Sequence, residues 1–272
     1  MTTLREVFDT ASFGGKAVQL GEALRAGLPV PDGFALSVEW VDGIVRGDPE
    51  ALQRLRTRVS DLRQTVAVRS SAVGEDSAGA SFAGQHATCL HIDPNAEAVA
   101  AAVRHVWESG RTESALAYRK RLGIPGAARV GVVVQLMIEP AMAGVLFTLD
   151  PSNGEDVRVI EASWGLGEAV VAGLVTPDRY RVARCGDVLE RSAGCKDLLI
   201  RRCAGGGTEE VTVDPGRAEE LCLDDASLLA LHRLAERCEQ VYGGAQDLEW
   251  AFAAGELYLL QRRPVTAGGR RP

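Results

Sequence analysis

A lysine follows two glycines at the start of a predicted helix, an arrangement that can bind phosphate. Gly14-Gly15-Lys16 precedes apolar residues with helical spacing, and the helix is expected to end at Gly27. Backbone N–H groups at a helix N-terminus attract anions, and Lys16 adds a positive charge. The spacing differs from the P-loop, which places more residues between its glycine and lysine. An ordinary helix cap has the same pattern, so both interpretations stay open.

An arginine ends a predicted strand, and a loop of small residues follows it. Residues 65–69 contain the β-branched residues typical of a strand, which delivers Arg69 to its end. Residues 70–84 are rich in glycine, serine and alanine, and such a loop can fold over phosphates and donate backbone N–H groups. A surface loop without a ligand has the same composition, and this stretch alone does not separate the two.

The last two predicted strands form a hairpin with the chemistry of a metal site. With the turn centred on Gly255, Glu249 lies opposite Gln261. Strand alternation places Asp247 and Arg263 on the same face. Carboxylate and amide oxygens suit Mg²⁺, and an arginine beside them can hold a phosphate. A solvated charged hairpin is the alternative, and a register shift of one residue would separate these side chains.

Two other features carry weaker signals. Residues 164–168 combine a tryptophan, two glycines and a glutamate after a predicted strand, which indicates a strand-to-helix turn. They lack the G-x-G-x-x-G spacing of a dinucleotide-binding motif. The four histidines show no spacing typical of a catalytic group.

The elements that position these residues mix strands and helices without strict alternation. Further helices are predicted at residues 38–64 with a break near residues 47–49, and at 96–107, 113–122 and 225–242; further strands are predicted at 34–36, 130–138, 145–149 and 157–162. This order favours an α+β or irregular α/β fold over a doubly wound sheet.

Composition limits the class of protein. The chain has 272 residues and a formal net charge of −7, so bulk charge argues against a nucleic-acid-binding protein. The length allows one large domain or two small ones with a sizeable core. We see no signal peptide and no run of about 20 apolar residues, so we expect no membrane span and a cytoplasmic location. The six cysteines lack metal-site spacing and are expected to be reduced and mostly buried.

Taken in order, these blocks resemble the N-terminal ATP-binding domain of the phosphoenolpyruvate synthase and pyruvate phosphate dikinase family, which rifampin phosphotransferase also contains. The main matching stretches are Gly14-Gly15-Lys16, Val68-Arg69-Ser70-Ser71-Ala72, Ser81-Phe82-Ala83-Gly84-Gln85, Val134-Gln135-Leu136-Met137, Gly144-Val145-Leu146-Phe147-Thr148, Trp164-Gly165-Leu166-Gly167-Glu168, Asp247-Leu248-Glu249-Trp250 and Gln261-Arg262-Arg263-Pro264. The resemblance implies an α+β fold of the ATP-grasp type, with ATP between two lobes. Residues 1–129 would form the N-terminal lobe, residues 130–266 the C-terminal lobe, and residues 267–272 a flexible tail.

The resemblance also implies roles for individual residues. The predicted catalytic residues, which contact the phosphates or the transferred group, are Lys16, Arg69 and Arg263. The further predicted ATP-binding residues are Gly84 and Thr88 in the covering loop, Gln135, Leu136, Met137 and Ile138 at a hinge that meets adenine through backbone groups, and Asp247, Glu249 and Gln261 on the hairpin. Glu249 and Gln261 would hold Mg²⁺. Ala87 stands where the family usually has an acidic residue, and Lys196 matches a family lysine to which the sequence assigns no role.

The resemblance implies an ATP-dependent phosphotransferase. ATP would phosphorylate a histidine on a separate swivelling protein, with AMP and phosphate as products, and the carrier would deliver the phosphoryl group to a small-molecule acceptor. Full-length relatives continue into such a histidine domain, and phenylphosphate synthase is divided into subunits in this manner, so the length predicts a separate partner. A stand-alone small-molecule kinase and a non-catalytic nucleotide-binding module are the alternatives. Retention of the predicted phosphate and metal residues argues against the module.

Overall fold

The structure, a computed structural model, describes residues 1–74, 87–121, 126–203 and 206–265. The predicted ATP-binding residue Gly84 lies outside these ranges. The first of two units contains Met1–Arg25, Pro31–Met137 and Ala204–Gly207, and the second contains Ala26–Val30, Ile138–Cys203 and Thr208–Pro272. No helix in the described ranges is long and apolar enough to cross a membrane.

The first unit is built on a five-stranded antiparallel sheet with the strand order β1-β2-β5-β3-β4. Its elements in chain order are β1 (Thr2–Thr3), a 3-10 helix (Leu4–Glu6), α1 (Thr10–Phe13), α2 (Gly15–Arg25), β2 (Gly33–Leu36), α3 (Val38–Arg46), α4 (Pro49–Val59), β3 (Val66–Ala72), β4 (Thr88–Ile92), α5 (Ala96–Ser109), α6 (Glu113–Arg121) and β5 (Val130–Leu136).

The two faces of this sheet have different roles. Even-numbered residues of β3 and β5, such as Val68 and Val132, join the apolar core that α3, α4 and α5 also line. Because strand side chains alternate between faces, the odd-numbered residues of β3 point to the other side, where α2 packs. Arg69 and Ser71 are on that side.

The second unit is built on a six-stranded antiparallel sheet with the order β13-β12-β6-β7-β8-β9, and a separate two-stranded pair, β10-β11. Its elements are β6 (Met142–Phe147), β7 (Arg158–Trp164), α7 (Glu168–Val171), β8 (Asp178–Val182), β9 (Val188–Ser192), β10 (Leu198–Arg202), β11 (Thr208–Thr212), α8 (Pro215–Ala218), α9 (Asp225–Tyr242), β12 (Gln246–Ala253) and β13 (Glu256–Pro264). The helix α9 packs against β12, and its buried residues include Leu228 and Leu231. Trp250 and Tyr180, both fully buried, are among the largest core side chains of this unit.

Several elements differ from those predicted. Residues 70–72, predicted as loop, continue β3, because they pair with β5 as far as Ala72. β5 itself lies within the sheet of the first unit, between β2 and β3, whereas the predicted lobe boundary placed it in the C-terminal lobe. The six cysteines are free, as expected, but only Cys222 and Cys238 are buried. The prediction that the cysteines are mostly buried is therefore wrong.

Candidate functional site

The start of α2 is held against β3 by a glycine and a serine. Gly14 has a φ of +79°, and a Cβ atom there would lie 1.9 Å from the carbonyl oxygen of Ser71, so only glycine allows this approach. The hydroxyl oxygen of Ser71 accepts a 2.9 Å hydrogen bond from the backbone N–H of Ala17, the third residue of α2. Ser71 therefore caps the helix from a different element. Lys16, in the same helical turn, is buried with 6% of its surface exposed.

Arg69 lies two residues before Ser71, on the same face of β3. It is the least buried residue of that strand. Thr88, an exposed residue at the start of β4, pairs directly with Arg69. Opposed residues of an antiparallel pair have Cβ atoms about 4.5–5.5 Å apart. The structure therefore brings the predicted residues Arg69 and Thr88 together, with Lys16 beside the backbone group that Ser71 binds.

The predicted hinge residues already use much of their hydrogen-bonding capacity. The side-chain amide of Gln135 is buried and donates to the carbonyl of Pro31 at 2.8 Å. The backbone N–H of Leu136 donates to Asp32, and that of Met137 donates to Thr65. A hydrogen bond from either N–H to adenine would have to replace one of these. Ile138, half-buried, belongs to the second unit.

The hairpin of β12 and β13 places its polar residues through an irregular register. Its two-residue turn, Ala254 and Gly255, has φ values of +50° and +82°, as a type I′ turn requires. A β-bulge then inserts Leu260 as an extra residue of β13, and beyond it Glu249 pairs with Gln261. The predicted pairing is confirmed. Its cause is a two-residue turn plus a bulge rather than a turn centred on Gly255.

The four predicted hairpin residues form two cross-strand pairs. Asp247 pairs with Arg263 two positions along from the Glu249–Gln261 pair, so alternation places both pairs on one face. Gln261 is 4% exposed, and Glu249 is half-buried and pairs on its other side with the fully buried Val145 of β6. This burial strengthens electrostatic interactions at the pair, because the local dielectric constant is lower than in water.

The donor set of this face fits a hard cation. Among the described residues, no group of three or more His, Cys, Asp or Glu side chains could hold a metal ion. Glu249 and Gln261 instead offer one carboxylate and one amide oxygen. Mg²⁺ commonly takes one or two protein ligands and completes its octahedron with water and substrate phosphates. The residues present are therefore compatible with Mg²⁺ that a phosphate-bearing ligand shares.

The predicted strand-to-helix turn at residues 164–168 is confirmed. It joins β7 to α7, and Gly165 has a φ of +73°. A Cβ on Gly165 would lie 2.6 Å from the carbonyl oxygen of Ile200, so the turn depends on glycine there. Burial raises the pKa of Glu168 in the first turn of α7.

Lys196 has a structural environment that the sequence did not reveal. Its ammonium group forms a 2.5 Å ion pair with Asp178, and both side chains are fully buried. The same carboxylate accepts hydrogen bonds from the backbone N–H groups of Gly194 and Cys222 and from the hydroxyl of Tyr180. Burial raises the pKa values of Tyr180 and Cys222, so both stay protonated near pH 7. The carboxylate of Asp178 therefore joins three segments of the second unit, and Lys196 balances its buried charge.

Ser71 is a residue whose role the sequence reasoning missed. It stands in a stretch that matches the family, but its hydrogen bond reaches a residue 54 positions away. The available signal was its alternation with Arg69, which places both on one face of a strand.

Two units, each an antiparallel sheet with flanking helices, confirm the predicted α+β fold class. The chain belongs to the family described as pyruvate phosphate dikinase, AMP/ATP-binding domain, which matches residues 49–272.

Curated relatives agree with this family. A protein named probable phosphoenolpyruvate synthase from Methanothermobacter thermautotrophicus is 36% identical, over 96% of this chain and 45% of its own length. A rifampicin phosphotransferase from Streptomyces sviceus is 35% identical, over 94% of this chain and 34% of its own. An uncharacterized phosphotransferase, YvkC, from Bacillus subtilis is 34% identical, over 93% of this chain and 33% of its own. The chain thus spans less than half the length of each of these relatives.

Proposed function

We propose that the chain binds Mg-ATP and transfers a phosphoryl group to a histidine of a separate carrier protein, which delivers it to a small-molecule acceptor. The observation that carries this proposal is the pair Glu249 and Gln261 on one face of the hairpin, next to Asp247 and Arg263. Membership of an ATP-binding family and relatives named phosphotransferases support it.

Each residue has a distinct task in this proposal. Lys16 and Arg69 bind phosphate oxygens of ATP, and Glu249 and Gln261 hold the cation. Bound Mg²⁺ supplies charge neutralisation on the phosphates. Arg263 stabilises the negative charge of the transferred group, because a guanidinium can donate two parallel hydrogen bonds to phosphate. Positioning and electrostatic stabilisation are the main protein contributions to phosphoryl transfer.

The accepting histidine is assigned to another protein. Among the described residues, His91 lies on β4, His105 on α5 and His232 on α9, so none lies on α2, β3 or the hairpin. In the transfer, an imidazole nitrogen of the carrier attacks the β-phosphorus of ATP, a P–N bond forms, and the P–O bond to AMP breaks. Water then cleaves the β–γ P–O bond of the pyrophosphate on the carrier, which releases phosphate and leaves one phosphoryl group on the histidine. AMP and phosphate are the products that the family resemblance implies.

The test supplies ATP labelled at the β- or γ-phosphate together with a swivelling histidine domain from a full-length relative. We expect the β label on the carrier in an acid-labile, base-stable form, the γ label in free phosphate, and AMP among the products, only when the chain, Mg²⁺ and carrier are all present. The matched control is Glu256→Gln, which changes an exposed glutamate in the same hairpin.

Three outcomes would contradict the proposal. ATP binding without any transfer would favour a non-catalytic module. Label that reaches a small molecule without the carrier would indicate a stand-alone kinase. Full transfer in both Glu249→Ala and Gln261→Ala would remove the metal assignment.

A further inference from the structure

We infer that Ser71 is a positioning residue for ATP, because its hydroxyl fixes the first turn of α2, and with it Lys16, beside the face of β3 that carries Arg69. This inference rests on the proposed function, in which Lys16 and Arg69 bind the phosphates. It adds a residue that does not itself contact the nucleotide.

The geometry makes Ser71 the cap that α2 would otherwise lack. The residue before a helix normally caps it with its own side chain, which accepts from the second or third backbone N–H. Gly14 has no side chain, and a Cβ there would lie 1.9 Å from the carbonyl oxygen of Ser71. The hydrogen bond from Ala17 N–H to Ser71 Oγ, 2.9 Å long and buried, takes that place.

This arrangement couples two cations that are far apart in sequence. Ser71 shares its face of β3 with Arg69, and Ala17 directly follows Lys16. One hydroxyl therefore links the arginine's strand to the lysine's helix. Lys16 is 6% exposed, and a lysine held this far from water needs a fixed backbone to keep its position. Without the cap, the first turn of α2 frays and Lys16 turns toward solvent.

The test compares two variants of equal shape, Ser71→Thr and Ser71→Val, which differ in the hydroxyl. The ligands are ATP and adenosine, and binding is measured by calorimetry. We expect Ser71→Val to bind ATP about fivefold more weakly than Ser71→Thr, the size of a lost helix cap. Adenosine should bind both variants equally, because it has no phosphates for Lys16 to contact. Ser70→Ala, which removes a buried hydroxyl from the opposite face of β3, is the matched control and should bind ATP as the parent does.

A second measurement separates positioning from general stability. In a Lys16→Ala background, Ser71→Thr and Ser71→Val should differ less than about twofold in ATP affinity, because the lysine that the cap positions is gone. Equal ATP affinity of Ser71→Thr and Ser71→Val, or the same fold-change with and without Lys16, would overturn the inference. A parent protein that binds no ATP would instead overturn the proposed function.

Discussion

The two units assemble their candidate residues in opposite ways. In the first unit, Lys16 and Arg69 come from segments more than 50 residues apart, and a buried hydrogen bond to Ser71 joins these segments. In the second, Glu249 and Gln261 come from one hairpin and face each other across a local ladder. We therefore expect chemistry and stability to be separable in the hairpin, whereas in the first unit the contact that aligns the two cationic side chains also supports the fold.

The largest expected effect is a loss of stability of the second unit, caused by a substitution outside the hairpin. Lys196→Met leaves the carboxylate of Asp178 buried without its cation, and breaking such a pair typically costs about 3–5 kcal/mol. We expect this loss in the free energy of unfolding measured in urea. Lys120→Met, at an exposed lysine, is the control. Asp178→Asn combined with Lys196→Met should recover part of the loss, and a loss below about 1 kcal/mol in the single variant would contradict the role assigned to this pair.

The next effect is a loss of phosphoryl transfer, caused by a substitution in the hairpin that should leave the stability of the second unit unchanged. Glu249→Gln keeps the shape of the side chain but removes the charge that we propose holds Mg²⁺. Transfer to the carrier should fall about 10²–10³-fold, the scale of one lost electrostatic contact at a reacting centre. The free energy of unfolding should change by less than about 0.5 kcal/mol. A large loss of stability would show that the hairpin does not separate the two properties.

A substitution in the first unit should change both properties at once. Gly14→Ala places a Cβ against the carbonyl of Ser71 and forces alanine into a backbone conformation that strongly favours glycine. We expect a loss of about 2–3 kcal/mol in unfolding free energy together with weaker ATP binding. The control is Gly47→Ala, where φ is also positive (+77°) but no atom lies within 4 Å of the new Cβ. Normal ATP binding in a destabilised Gly14→Ala would contradict the comparison.

The smallest effect concerns acid stability of the second unit. Burial and then the charge of Arg158, whose guanidinium lies 2.8 Å from His232 Nδ1, lower the pKa of His232, although Glu236 opposes this. His232 therefore binds a proton more readily in the unfolded chain than in the folded protein. The free energy of unfolding falls as the pH drops below about 6.5. Urea unfolding of His232→Gln between pH 7 and pH 5 should show a shallower fall, since glutamine can accept from Arg158 without titrating. An identical slope in parent and variant would exclude this histidine as the cause.

Local patterns predicted much of the fold. The helix α9 is observed over the predicted residues, and the hairpin has the predicted pairing, because both depend on contacts close in sequence. The strands β8 to β11 were not predicted. Of these strands, β9 is exposed along nearly its whole length, so it lacks the alternation of buried and exposed residues that identifies a strand.

The geometry of the candidate site was predictable only where its residues lie close in sequence, as they do in the hairpin of β12 and β13. Glu249 and Gln261 could be paired by counting residues, although the count agreed through a bulge that the sequence does not reveal. The helix cap formed by Ser71 and the ion pair formed by Lys196 depend on contacts between residues far apart in sequence. Residue type and spacing therefore did not predict a role for either residue. Lys196 is one of only three lysines in the chain, but nothing in the sequence identifies Asp178 as its buried partner.

The extra residue at Leu260 has a consequence for how this hairpin tolerates insertion and deletion. The bulge accommodates one additional residue of β13 while the pairs on both sides stay in register. A chain lacking that residue would still place its glutamate opposite its glutamine. The number of residues between Glu249 and Gln261 can therefore change by one without moving either side chain. An alignment that counts residues through this strand would show a gap, although the two side chains keep their places.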